Sequence, residues 1–216
     1  GEALTPALGV ALSWQSRTFD KFAEVLLRQD VTVRAFRNSF LFAGSAALIL
    51  ALGSIAFAYA LERRMGRLRR AVELVIELPY ALPGVVLAIA CILMFLKPLP
   101  LLGVSIYATP FIILFAYIAR FLPLALKAPV AAMAQIEAHH EEAARLDGAG
   151  LWQMLRFIVA PILAPAATVS ALMVFLVAFN ELTVSALLWS AGTETLGVVL
   201  FSLKEAGLAG EAAAVA

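Results

Sequence analysis

The chain has 216 residues, of which 63% are hydrophobic and only 14% charged, against about 45–50% apolar and about 25% charged in an ordinary soluble domain. Its formal net charge is +1, with no basic face of the kind a nucleic-acid binder presents. A soluble enzyme and a nucleic-acid protein are therefore excluded.

The apolar residues come in blocks. Asn38–Leu61, Leu78–Leu96, Pro98–Ala119 and Phe157–Asn180 carry no charged side chain. A helix needs about 20 mostly apolar residues to cross a bilayer, so the fold class is an all-α polytopic membrane protein. Strands of a membrane barrel would alternate polar and apolar residues, and these blocks do not. The single Cys91 lies inside an apolar block, where it has no partner for an internal disulfide.

In chain order, residues 1–37 mix charged and apolar residues. They read as an interfacial lead-in, with a short amphipathic helix at Phe19–Leu27 and extended chain before the first span. Hydrophobic length places spans at Ser39–Leu61, Val75–Phe95, Pro110–Leu126 and Ile162–Leu188. A fifth opens near Ala212 and is cut short, which together with the initial Gly reads as a piece of a longer protein. Ala43, Ala47 and Ala51 recur every four residues in span one. Ala166 with Ser170, and Ala167 with Ala171, do so in span four. Small residues at this spacing let helix backbones approach closely in lipid.

Orientation follows from Lys/Arg bias in short loops. The stretch Glu62–Arg70 holds five arginines in nine residues and reads as cytoplasmic. The loops Lys97–Thr109 and Ser190–Gly210 hold one lysine each and read as external, which leaves Lys127–Pro161 inside. Pro79, Pro83 and Gly84 interrupt the start of span two. Proline removes a donor from the helical ladder, so a break is expected there. It reads equally as a kinked helix start or as a bend beside a translocation path.

The segment 131–161 is long for a turn between spans. Its Ala-rich, charged first half should be helical, with Glu141 and Arg145 spaced i, i+4 for local support. Gly148 and Gly150 break it, Leu151–Ile158 follows as a second amphipathic stretch, and Pro161 opens span four. A helix–turn–helix against the inner membrane face reads as a docking surface.

Within it, Glu142-Ala143-Ala144, then Gly148, Ile158 and Pro161, keep the order and spacing of the cytoplasmic EAA loop. The chain thereby resembles the permease (transmembrane) subunits of type I binding-protein-dependent ABC importers. The family pattern has Leu where this chain has Ala160. The stretches Leu78–Gly84, Phe179–Thr183 and Gly192–Val198 are similar to the ferric-iron permease subgroup. The resemblance covers about residues 36–216 and implies one permease domain over 38–216, after a lead-in at 1–37.

The resemblance implies that Glu142, Ala143, Ala144, Asp147, Gly148 and Ala149 dock a separate cytoplasmic ABC ATPase dimer, which binds ATP and Mg. This chain would bind no cofactor of its own and hold no catalytic residue or metal site. The other implied partners are an extracytoplasmic substrate-binding protein and a second permease half, in the same polypeptide, as a copy or as a paralogue. The implied location is the bacterial inner membrane, and the implied substrate is ferric iron. Thiamine, phosphonate, polyamine and sulfate permeases share much of the pattern, and a non-transporting structural subunit is the alternative of a different class.

Glu181 is the one acidic residue deep in an apolar block. Buried charge in a membrane faces the bundle interior or water, so Asn180 and Glu181, with Pro79 and Pro83, are candidates to line a path. The alternative is a hydrated or paired Glu181 near the outer boundary, with Arg120 as a possible partner. His139-His140-Glu141-Glu142 lacks the His at i and i+4 of a helix-borne zinc site. The chain has no phosphate-binding Gly-x-x-x-x-Gly-Lys loop, and no histidine lies within a span to activate a buried serine.

Overall fold

The computed structural model describes residues 30–98, 103–137, 139–146, 148–208 and 212. The expected helix at Phe19–Leu27, Asp147 and nearly all of the expected fifth span lie outside the described residues. What is described is helical: α1 (Asp30–Arg63), a 3-10 turn (Gly66–Leu68), α2 (Arg69–Ala81), α3 (Gly84–Phe95), α4 (Pro110–Ala134), α5 (His139–Leu146), α6 (Leu151–Met154), a π turn (Leu155–Val159), α7 (Ala160–Phe179), α8 (Ser185–Leu188) and α9 (Leu196–Glu205).

Among the described residues, three stretches are long and apolar enough to cross a membrane: Asp30–Arg63, Pro110–Ala134 and Leu151–Phe179. Gly66–Ala81 and Gly84–Phe95 form a fourth if the bent pair counts as one span. The bend is 104°, so the break expected at the prolines divides Val75–Phe95 into two helices meeting at Leu82 and Pro83. Pro83 has no N–H to continue the ladder, and the residue before a proline is driven to extended backbone. Leu82 is extended, at φ −74°, ψ 142°. The carbonyl of Leu82 receives a hydrogen bond from Arg120 Nη1 at 3.2 Å. This is how a broken helix is tolerated away from water: a side chain satisfies a backbone group the break released.

The other boundaries shift for local reasons. Residues 30–38 are already helical, where extended chain was expected. The third runs on to Ala134 because Lys127 can keep its stem along the helix and its head in a polar layer. The fourth ends at Phe179, not Leu188. There Glu181 accepts the Val184 N–H at 3.0 Å and the Thr183 hydroxyl, while Ser185 Oγ donates to the Glu181 carbonyl at 2.8 Å. These bonds wind 180–185 into a turn, and the external stretch beyond it contains α9.

The chain divides into two compact units. One comprises Ala43–Leu87 and Leu114–Ala178. Its core gathers Ala58 and Tyr59 of α1, Met133 of α4, Met154 and Val159 before α7, and Leu163 of α7. Small residues do line its buried seams: Ala43, Ala46 and Ala47 on α1, and Ala167, Ser170 and Ala178 on α7. Leu48 and Leu52 of α1, with Leu172, Met173 and Leu176 of α7, are exposed. A helix apolar on all faces suits a lipid surround, since water would not tolerate those outer faces.

The other unit comprises Gly1–Phe42, Ala88–Ile113 and Phe179–Ala216. Here the first turns of α1 meet the turn before α9. Arg34 Nε contacts Glu194 Oε2 at 3.1 Å, Asn38 Nδ2 donates to the carbonyls of Gly192 and Glu194 at 2.9 Å each, and the Leu196 N–H donates to Ser39 Oγ at 2.8 Å.

Candidate functional site

The helix–turn–helix of the docking segment forms as the sequence implies. The α5 helix ends at Leu146, Gly148 takes φ +80°, and the Ala149 N–H donates to the Ala144 carbonyl at 2.9 Å. A left-handed residue followed by this backward bond is the Schellman stop, and glycine adopts it without steric penalty. The next helix starts at once. The Gly150 N–H donates to Gln153 Oε1 at 2.9 Å, and the Met154 N–H to the Gly150 carbonyl at 3.0 Å.

From Leu155 to Val159 the ladder widens to a π turn, with the Ala160 N–H reaching the Leu155 carbonyl. Pro161 cannot donate to Phe157, and a π turn is one way a helix absorbs a missing donor. The turn, α6 and α7 thus make one stretch that runs from the docking segment into the apolar span.

The expected docking residues do not all face outward. Glu142 and Gly148 are exposed, Ala149 is half-buried, and Ala144 is 8% exposed. Ala144 is buried within its own unit, and its carbonyl closes the Schellman turn. Of Ala143 only the helical backbone is described.

Beside the turn stand apolar side chains that the sequence reading did not single out. Leu146 is 88% and Trp152 71% exposed. Next to them is a cavity of about 320 Å³ lined by Gly148, Ala149, Gln153, Met154, Phe157 and Ile158. Large exposed apolar groups beside a concavity are the usual signature of a protein contact.

Two further residues were missed. Arg63, counted among the five arginines of a topology signal, donates from Nε to Glu141 Oε1 and from Nη2 to the Ile136 carbonyl, both at 2.6 Å. The Glu141 side chain is 7% exposed. The Arg145 side chain, expected to pair with Glu141, lies outside what is described; Glu141 reaches 78 residues back along the chain. No local signal in the sequence could have found this pair.

The candidate path residues are not brought together within either unit. Pro79 lies inside α2 and Pro83 at the bend. Asn180 and Glu181 belong to the other unit, where Glu181 organises the 181–185 turn. That local role explains a carboxylate at the end of an apolar block.

A family model for the inner membrane component of binding-protein-dependent transport systems matches residues 49–208. A Haemophilus influenzae protein named as a candidate ferric transport system permease is 30% identical over 159 residues, covering 73% of this chain and 24% of that protein. A ferric transport system permease protein of Actinobacillus pleuropneumoniae is 29% identical over 179 residues, 82% of this chain and 25% of that protein. This chain thus spans about a quarter of the length of these relatives. Among solved structures, a chain of a bacterial ABC transporter that imports the acidic polysaccharide alginate superimposes with a TM-score of 0.73 at 20% identity, covering 99% of this chain and 79% of that one. The match covers both units and fixes the fold alone. With the family model spanning the bent pair, the docking segment and α7, the chain belongs to the family of binding-protein-dependent transport system inner membrane components.

Proposed function

We propose that the chain is part of the permease of an ATP-driven importer in the bacterial inner membrane. In this reading the segment 131–161 docks a cytoplasmic ABC ATPase dimer, and a soluble binding protein delivers substrate at the opposite face. A second permease half completes the path. ATP and Mg sit on the ATPase, and this chain converts their energy into motion of its helices. The observation that carries the reading is the glycine-stopped turn between α5 and α6, flanked by exposed Leu146 and Trp152 and continuous with an apolar helix. A segment so built has an apolar face for a partner and a direct connection to the bundle.

Ferric iron is the proposed substrate, supported by the names of two relatives and by no metal-ligating cluster among the described residues. The test is ATP hydrolysis by the full permease with its ATPase in proteoliposomes. Binding protein loaded with ferric iron should stimulate it, and binding proteins loaded with thiamine, phosphonate, polyamine or sulfate should not. Stimulation by one of the latter would replace iron and keep the importer. ATPase binding without stimulation by any of them would favour a structural subunit.

A further inference from the structure

We propose that Arg63 is a positioning residue that ties the docking segment to α1, so that a push on the segment moves α1 along with α7. The inference rests on the reading of 131–161 as the docking segment and extends it to a second route into the bundle. Arg63 is the last residue of α1, a helix of 34 residues, about 50 Å long at 1.5 Å per residue. It holds the docking segment at two points. One is the Ile136 carbonyl just before α5, and the other is the Glu141 carboxylate inside α5.

A guanidinium offers several donors in a rigid plane. Two bonds from one plane fix direction as well as distance, which a single lysine contact would not. The pair is shielded, with side-chain exposures of 22% and 7%, so it persists at salt that would screen a surface pair. The neighbouring arginines do other things. Arg69 pairs with Glu62 and Glu73, while Arg64, Arg67 and Arg70 are exposed.

At its other end α1 is held again, by Arg34, Asn38 and Ser39 on the 192–196 turn that leads into α9. The docking segment would then act on two helices: on α7 through the covalent chain, and on α1 through Arg63.

The test uses the full permease with its ATPase in nanodiscs. Spin labels replace the exposed Leu52 on α1 and Leu172 on α7, in a Cys91→Ser background, and the distance distribution is read without nucleotide and with ATP plus vanadate. The unmodified permease should show a shifted population. Arg63→Ala, and Glu141→Gln as the variant that keeps shape, should reduce that population about fivefold or more, the lower end of typical coupling between sites. The swap Arg63→Glu with Glu141→Arg should recover it only in part, because it restores the charge pair and not the bond to the Ile136 carbonyl. A merely structural pair would lower the melting temperature and leave the shifted population per bound ATPase intact, which would overturn the proposal. So would an unmodified permease whose labels do not respond. If the labels respond and depend on Arg63 while ferric-loaded binding protein fails to stimulate hydrolysis, the iron-importer reading fails and the link stands.

Discussion

Gly148 separates folding from docking, because a Cβ there meets none of the described atoms. Its φ is +80°, and a Cβ built on it has no heavy atom within 4 Å. Left-handed backbone costs an ordinary L-residue about 1–2 kcal/mol. That cost is conformational, so it is the same for Gly148→Ala and Gly148→Trp. Both variants should insert, and both should lose similar thermal stability, with Gly148→Asn losing least because Asn tolerates this region. They should differ only in what they project into the open space beside Leu146, Trp152 and the 320 Å³ cavity. If the ATPase seats there, Gly148→Ala should bind it nearly as the parent does. Gly148→Trp should weaken it at least about tenfold, the equivalent of about 1.4 kcal/mol. The assay is ATPase binding to nanodisc-embedded permease by biolayer interferometry, with melting temperatures measured in parallel. Equal affinities for the Ala and Trp variants would refute the placement of the partner on this turn.

Gly197→Ala should destabilise by about 1–3 kcal/mol, since its Cβ would sit 3.2 Å from the Cα and Cβ of Leu182 and 3.4 Å from the Glu181 carbonyl. Gly53→Ala in α1, with nothing within 4 Å, should instead stabilise by about 0.5–1 kcal/mol through lower backbone entropy in the unfolded chain. Thermal melts of the two variants in detergent read the opposite signs. Asn38→Ala removes both bonds to the 192–194 turn and should lose about 1–3 kcal/mol at about 0.5–1.5 kcal/mol per bond; an unchanged melt would show that water replaces them.

Glu194 makes the fold acid-sensitive. Burial pushes its pKa up, but the Gly192 and Glu194 backbone amides and the Arg34 guanidinium outweigh it, and the net shift is below the ordinary 4.5. A group with a depressed folded pKa adds stability above its unfolded pKa and loses it as pH falls through the folded value. Melting temperatures taken from pH 7 down to below 4.5 should therefore fall more steeply for the parent than for Glu194→Gln, and parallel curves would contradict this.

What was legible in the sequence was local. Pro83 announces its own bend, because a missing N–H and a ring that restricts the preceding residue act within a turn of helix. Gly148 announces its stop for the same reason. The uncharged blocks announce spans, although their ends shifted wherever a polar side chain found a partner the block did not contain. The turn was legible as a motif but its exposure pattern was not: Ala144 is buried with its carbonyl closing the turn, and exposure falls on Leu146 and Trp152.

What was not legible joins residues far apart. Arg63 and Glu141 are 78 positions apart, Asn38 and Gly192 154, and nothing in either neighbourhood encodes the other. A run of arginines sums to a topology signal whichever member does what, so one buried pair disappears in the total. The same reasoning bears on Glu181. Its rarity in an apolar block pointed to a substrate path, yet rarity shows only that the charge must be satisfied. The Val184 N–H and the Thr183 hydroxyl satisfy it within the turn that ends α7. An intramembrane carboxylate has to be weighed with its local hydrogen bonds before it is assigned to transport chemistry, and Glu181 accepts two of them in this turn.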